Sequence, residues 1–109
     1  MHELEIAQEI VAIVNDHAAG ARVTRVLIEV GKLAAVLPES LRFCFEVCVE
    51  GTSIEGARLD ILESPGLARC RGCGAEVVLD QPAGFCACGG VDLELLSGRQ
   101  LQLKEIEVI

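Results

Sequence analysis

Apolar residues recur at helical spacing in the first part of the chain and then begin to alternate with polar ones. From Leu4 to Ala18 they fall three or four positions apart, which places them on one face of an amphipathic helix. Gly20 is typical of the residue that follows a helix, so we expect the helix to end at about Ala19. Between Arg22 and Val30, β-branched residues nearly alternate with charged ones, and this period predicts a strand with one buried face.

A second helix is predicted after this strand. Pro38 stands where the first helical turn begins, a position in which its missing N–H is not needed. Leu41 and Phe45 line the apolar side of this helix, and Cys44 and Cys48 lie on the same side. We interpret both cysteines as core residues, because free cysteine is among the most buried residue types. Two thiolates presented from one helical face for metal or redox chemistry are the alternative.

Strand-like character returns in residues 57–63, 77–79 and 100–109. In the last of these segments the apolar positions change face between Leu103 and Ile106, which indicates a bulge. We expect the strands before and after the cysteine-rich stretch to pair in one sheet. The prediction is an α+β fold in which two helices pack on a small mixed sheet and a Cys₄ zinc-knuckle module is inserted before the last strand.

The boundary between two predicted domains falls at Ser64-Pro65-Gly66, which has the composition of a linker. Residues 1–64 and 92–109 form the predicted α/β domain. Residues 65–91, which hold four of the six cysteines, form the other domain.

Composition and charge then exclude several classes of function. The net charge is −8, or about −10 if a tetrathiolate zinc site is added, and such a surface repels the phosphate backbone of nucleic acids. No apolar run approaches the ~20 residues that span a bilayer, and no signal segment opens the chain. Six cysteines without an export signal indicate the reducing cytoplasm, where thiols bind metals rather than pair. We therefore expect a cytoplasmic protein that binds neither nucleic acid nor membrane.

Four cysteines have the spacing of a metal site. Cys70-Arg-Gly-Cys73 is followed after twelve residues by Cys86-Ala-Cys88, and two such close pairs can hold a zinc ion tetrahedrally through four thiolates. A closed site of this kind has no open position for a reacting water, so the zinc is structural and an enzyme is not expected. The alternative is thiol-disulfide exchange at Cys70 and Cys73, although no helix pattern follows them as in redox proteins.

The first three residues are a second candidate metal site. We expect His2 to block removal of Met1, so that the chain begins Met1-His2-Glu3. The imidazole of His2 and nearby backbone nitrogens can form the planar nitrogen set that Ni(II) and Cu(II) prefer. A solvated terminus with no metal is the alternative that the position of one histidine leaves open.

Several short motifs, taken in order, resemble the HypA/HybF family of nickel metallochaperones, which mature nickel-iron hydrogenases. The resemblance covers essentially the whole chain. Its motifs are Met1-His2-Glu3-Leu4, Gly31-Lys32-Leu33, Phe43-Cys44-Phe45-Glu46, Gly51-Thr52, Glu55-Gly56-Ala57-Arg58-Leu59, the two cysteine pairs, Ser97-Gly98-Arg99-Gln100-Leu101 and Lys104-Glu105-Ile106-Glu107-Val108.

The resemblance implies two metals with different roles. By this resemblance Ni(2+), which is transferred, binds through the His2 side chain and the backbone nitrogens of His2 and Glu3, and the remaining donor is variable. We add Met1 as a further candidate ligand and, from its position near the start of the second helix, Glu39 as a supporting group. A structural Zn(2+) is held by the four cysteines of residues 70–88. The implied partners are a GTPase of the hydrogenase maturation pathway and the hydrogenase large subunit, and the protein is expected to be a monomer or weak dimer.

One departure from the family pattern concerns the second cysteine pair. The family usually has Cys-Pro-x-Cys there, whereas Cys86-Ala-Cys88 is one residue shorter, which tightens the second knuckle. Two other functions stay open at this point: a zinc-ribbon module that only docks a protein partner, and a thiol-disulfide enzyme.

Overall fold

The computed structural model describes residues 2–109; Met1 and the side chain of His2 lie outside the described residues. The helices are α1 (His2–Ala18) and α2 (Pro38–Cys48), and a short 3₁₀ turn spans Lys32–Ala34. The strands are β1 (Val23–Gly31), β2 (Arg58–Ser64), β3 (Gly66–Cys70), β4 (Glu76–Leu79), β5 (Leu93–Ser97) and β6 (Leu101–Val108). Both helices and an α+β fold with small sheets agree with the prediction.

The chain forms two compact units. The helical unit consists of Met1–Ile28, Val36–Leu62 and Gln102–Ile109. The cysteine unit consists of Glu29–Ala35 and Glu63–Leu101. The predicted division placed residues 92–109 with the helices, but β5 belongs to the sheet of the cysteine unit.

The helical unit has an aliphatic core with one buried aromatic ring. The predicted apolar face of α1 is buried from Ala7 to Ala18, and α2 buries Leu41 and Phe45. Cys44 and Cys48 of α2 are half-buried. Leu4, which the helical period placed on the buried face, is instead 38% exposed, because the first turn of α1 borders an open groove on α2 rather than the core.

The sheet associated with this unit has the strand order β2-β1-β6. The strands before and after the cysteines therefore share one sheet, as expected, but β1 lies between them. Arg25 on β1 forms ion pairs with Asp60 on β2, at 2.6 Å, and with Glu107 on β6, at 3.1 Å. One guanidinium on the central strand thus bridges carboxylates of both flanking strands.

The cysteine unit contains a second three-stranded antiparallel sheet, in the order β4-β3-β5. Its central strand, β3, is not predicted by the sequence, because Gly66 has the composition of a linker and five residues show too little periodicity. Leu33, Ala68 and Leu79 form the small core, with partly buried Leu93 and Leu95 packed against it. The segment after β1 thus supplies a core residue to this unit.

Gly31 lies very close to a distant part of the cysteine unit. Its N–H donates to the Gln100 carbonyl at 2.9 Å, and the Leu33 N–H donates to the Gly98 carbonyl at 2.8 Å. A Cβ on Gly31 would lie 2.0 Å from the Gly98 carbonyl oxygen. Only glycine leaves room for this approach of two backbones.

Candidate metal centre

The structure brings together the four cysteines of residues 70–88. All four Sγ atoms lie within 4.8 Å of one another. The Sγ atoms of Cys70 and Cys88 are 3.7 Å apart, and those of Cys73 and Cys86 are 3.6 Å apart. Among the side chains that the structure describes, no other group of three or more potential metal ligands has donor atoms this close together.

Each cysteine pair is held by a tight turn. The Cys70 carbonyl accepts from the Gly74 N–H at 2.8 Å, and the Cys86 carbonyl accepts from the Gly89 N–H at 2.9 Å. Both glycines have positive φ, at 79° and 91°, a conformation that glycine adopts without steric cost. The hydrogen bond of the shorter second pair spans three residues instead of four, and Cys86 still reaches the cluster despite the missing residue.

Gly90 lets the sulfurs converge. A Cβ at this position would lie 3.0 Å from the Sγ of Cys70 and 3.3 Å from the Sγ of Cys88. Any larger residue would therefore push against two of the sulfurs.

The surroundings of the cluster shift the pKa values of two of its thiols in opposite directions. The backbone N–H groups of Cys73 and Gly72, helped by neighbouring thiols, lower the pKa of Cys70 to about 7, although burial opposes this. The N–H of Gly90 lowers the pKa of Cys88, but the other three thiols together with burial raise it by more, to about 11. Neighbouring thiols cannot all ionise together without a cation, because each thiolate disfavours the next. The donor set therefore favours a bound cation.

The geometry fits a tetrahedral ion with four sulfur ligands. A Zn–S bond of about 2.3 Å gives sulfur–sulfur edges of about 3.8 Å in a tetrahedron. The two measured separations are 3.7 Å and 3.6 Å. Four thiolates in this arrangement are typical of zinc or of iron in iron–sulfur proteins.

The N-terminal candidate residues lie at the start of α1. The helix begins at His2. The side chain of Glu3 is buried, at 8% exposure, and its carboxylate accepts from the Leu37 N–H at 3.3 Å. Leu37 is the N-cap of α2 and has no side-chain cap of its own. The sequence indicated only the backbone nitrogen of Glu3, and no local signal points to a contact 34 residues away.

Two other polar residues, Glu39 and His17, have partners of their own. Glu39 lines the same groove as Glu3 and pairs with Arg42 at 2.8 Å. His17, at the far end of α1, contacts the Ile13 carbonyl through Nδ1 at 2.9 Å.

The fold and the cysteine cluster define a class: small α+β proteins with a four-cysteine metal centre in a unit separate from the helices. The family model described as hydrogenase/urease nickel incorporation metallochaperone, HypA, matches residues 1–108. The chain belongs to this family.

Individual relatives agree with the family match. The chain is 59% identical over 108 residues to the hydrogenase maturation factor HypA of Trichormus variabilis, covering 99% of this chain and 96% of the relative. Its identity to the HypA of Geotalea uraniireducens is 46%, over 99% of both chains. The solution structure of the Ni metallochaperone HypA from Helicobacter pylori has the same fold, with a TM-score of 0.69, 22% identity and coverage of 100% of this chain and 98% of that one.

No helix within residues 2–109 is long and apolar enough to cross a membrane. Two findings can support a proposal about function: the four-cysteine cluster and membership of a nickel-incorporation family.

Proposed function

We propose that this protein is a nickel metallochaperone. It binds Ni(II) at its N-terminus and delivers it to the hydrogenase large subunit, while a structural zinc ion holds the cysteine unit together. Membership of the HypA family carries this proposal. In it the helical unit is the nickel domain and the cysteine unit is the zinc domain.

The start of α1 supports a nickel site at residues 1–3. The first four N–H groups of a helix have no intrahelical acceptor. Because α1 begins at His2, the backbone nitrogens of His2 and Glu3 can lose their protons to Ni(II) without breaking a helical hydrogen bond. The imidazole of His2 completes a nitrogen set suited to tetragonal Ni(II).

The side chain of Glu3 supports the same site indirectly. Its carboxylate is engaged by the Leu37 N–H, which ties the first turn of α1 to the start of α2. The backbone nitrogen of Glu3 is the group left for the metal. Met1 and the supporting role of Glu39 belong to the same proposal.

Zinc in the cysteine cluster has a different role. Cys70, Cys73, Cys86 and Cys88 would hold it in a closed tetrahedral site, and the ion would supply the positive charge that four neighbouring thiolates require. No ligand position is open to a substrate, so this zinc would be structural and not catalytic, and the role proposed is that of a carrier rather than an enzyme. A closed thiolate cage retains its metal, whereas a terminal site of backbone nitrogens and one imidazole can release it.

The partners follow from the role of a carrier. We propose that the protein acts in the cytoplasm as a monomer or weak dimer, with a GTPase of the maturation pathway and the hydrogenase large subunit as partners. Membrane and nucleic acid are not among them, and a net charge of −8 is consistent with the second exclusion.

The experiment that tests this proposal is a metal analysis and a nickel titration of the untagged protein. One zinc and no iron per chain, together with one further equivalent of nickel, is the expected result. His2→Ala should lose the nickel and keep the zinc. His17→Ala is the matched control, because it removes an exposed histidine from the same helix and should keep both metals.

Two results would reject parts of the proposal. If His2→Ala bound nickel as tightly as the parent, the N-terminal site would be wrong. If neither protein bound nickel while both held zinc, the chain would act as a zinc-ribbon docking module instead.

A further inference from the structure

Arg99 differs from the other arginines of the chain. Within residues 2–109 it makes no hydrogen bond or ion pair through its guanidinium. The chain has seventeen acidic residues against nine basic ones, so an unpaired guanidinium is unexpected. The arginines that do form a hydrogen bond or an ion pair are Arg22, Arg25, Arg42, Arg58, Arg69 and Arg71.

Arg99 lines a pocket of about 440 Å³ in the cysteine unit. The apolar side chains of this pocket, here called the Arg99 pocket, come from Ala68, Leu79, Leu93 and Leu95 and from the connecting segments that contain Pro82, Ala83 and Val91. Ala68 and Leu79 belong to the core cluster of the unit, and Leu93 and Leu95 pack against that cluster, so the packed structure fixes this part of the lining. A volume of this size accepts one side chain or a small organic group.

The charge and shape of the Arg99 pocket define its ligand. A guanidinium binds a carboxylate through two parallel N–H bonds, and the aliphatic surface beside it suits an aliphatic side chain. A net charge of −8 repels a segment that carries several carboxylates. A C-terminal residue places one carboxylate and one side chain on the same Cα, and it needs no second acidic group.

We propose that the Arg99 pocket binds the aliphatic C-terminal residue of a partner polypeptide, with the terminal carboxylate on Arg99 and the side chain against Leu79, Leu93 and Leu95. Capture of a C-terminal carboxylate is a recognised mode of peptide binding. This inference depends on neither metal assignment, so it stands or fails independently of the nickel proposal.

Amide chemical shifts of the full-length protein, purified with its bound metal, test this proposal. The probe is the peptide acetyl-Ala-Ala-Leu with a free C-terminus, titrated to ~10 mM, a range suited to weak single-residue contacts. Saturable shifts at Ala68, Leu93 and Leu95 are expected. The same peptide with a C-terminal amide should bind at least about tenfold more weakly, because it lacks the charged partner of the guanidinium.

Two variants distinguish the effect of the Arg99 charge on peptide binding from the effect of removing any positive charge from the unit. Arg99→Gln should weaken binding of the free-acid peptide at least about tenfold, and it breaks no internal bond, so its spectrum should otherwise match that of the parent. Arg69→Gln is the matched control. It removes an exposed arginine of the same unit that pairs with Glu76 and does not line the pocket, and binding should be unchanged.

Three outcomes would overturn the inference as a whole. They are equal binding of the acid and amide peptides, unchanged binding by Arg99→Gln, and an absence of shifts with any peptide. Equal or tighter binding of acetyl-Leu-Asp-Ala-amide would overturn the assignment of a terminal residue, because an internal acidic side chain would then be the ligand.

Discussion

Replacing Gly31 with alanine tests how closely two backbones approach in the cysteine unit. Gly31 has φ −69° and ψ 137°, values that alanine adopts without strain. Its added Cβ would nevertheless lie 2.0 Å from the Gly98 carbonyl oxygen and 2.2 Å from the carbonyl carbon. Because both atoms are backbone, no side-chain rotation can relieve the clash, and the two segments must separate.

The cost of this separation can be worked from the contacts it disturbs. Two backbone hydrogen bonds join the segments, Gly31 to Gln100 at 2.9 Å and Leu33 to Gly98 at 2.8 Å. Each contributes about 1 kcal/mol, and overpacking adds about 1–3 kcal/mol. We expect Gly31→Ala to lower the free energy of unfolding of the cysteine unit by roughly 3 kcal/mol or more, a large part of the stability of a small domain.

Urea unfolding followed through the amide signals of each unit measures this cost, because the chain has no Trp or Tyr to report by fluorescence. Gly20→Ala is the comparison. Gly20 has φ 89° and nothing within 4 Å of its Cβ, so alanine there meets backbone strain alone, worth about 1 kcal/mol. A cost at Gly31 no greater than that at Gly20 would refute the argument from close approach.

Three further predictions concern the core, the sheet and the metal. Phe45→Ala should destabilise the helical unit by about 3–5 kcal/mol in urea unfolding, because Phe45 is 1% exposed, whereas Phe43→Ala, at 67% exposure, should change it by less than about 0.5 kcal/mol. The hydrogen bond from Arg25 lowers the pKa of Asp60, so the stability that this pair contributes is present above pH 3.8 and is lost as the pH falls through the folded pKa. The urea midpoint should therefore fall less between neutral and acidic pH in Arg25→Gln than in the parent protein. Cys86→Ser should lose zinc in a competition with a chromophoric chelator while the amide signals of α1 remain, and retention of parental zinc affinity would show that Cys86 is not a ligand.

Periodicity in the sequence was enough to predict both helices and the main strands, because each carries its pattern over several turns or several alternations. Strand β3, Gly66–Cys70, could not be predicted, because it is stabilised by pairing with β4 on one side and β5 on the other. A segment of five residues is too short for its own pattern of apolar and polar positions to indicate this pairing. The same limit applies to the carboxylate of Glu3, whose contact with Leu37 depends on the tertiary structure.

The cysteine spacing indicated the cluster correctly because short turns bring near neighbours together. The identity of the ion and the role of His2 do not follow from spacing, and the family match is what supports them. The core residue that Leu33 supplies to the cysteine unit could not be predicted, since it lies 37 positions before Cys70 in the sequence.

The cysteine unit is assembled from two separate stretches of chain, and this limits how it can be transferred to another protein. A fragment covering residues 63–101 would keep all four ligands but would lack Leu33, one of the three residues in its core. Such a fragment could bind an ion and still have no side chain to fill the space between Ala68 and Leu79. The cysteine unit is therefore not an independent module that can be transferred as residues 63–101, and a graft would have to include the Glu29–Ala35 segment.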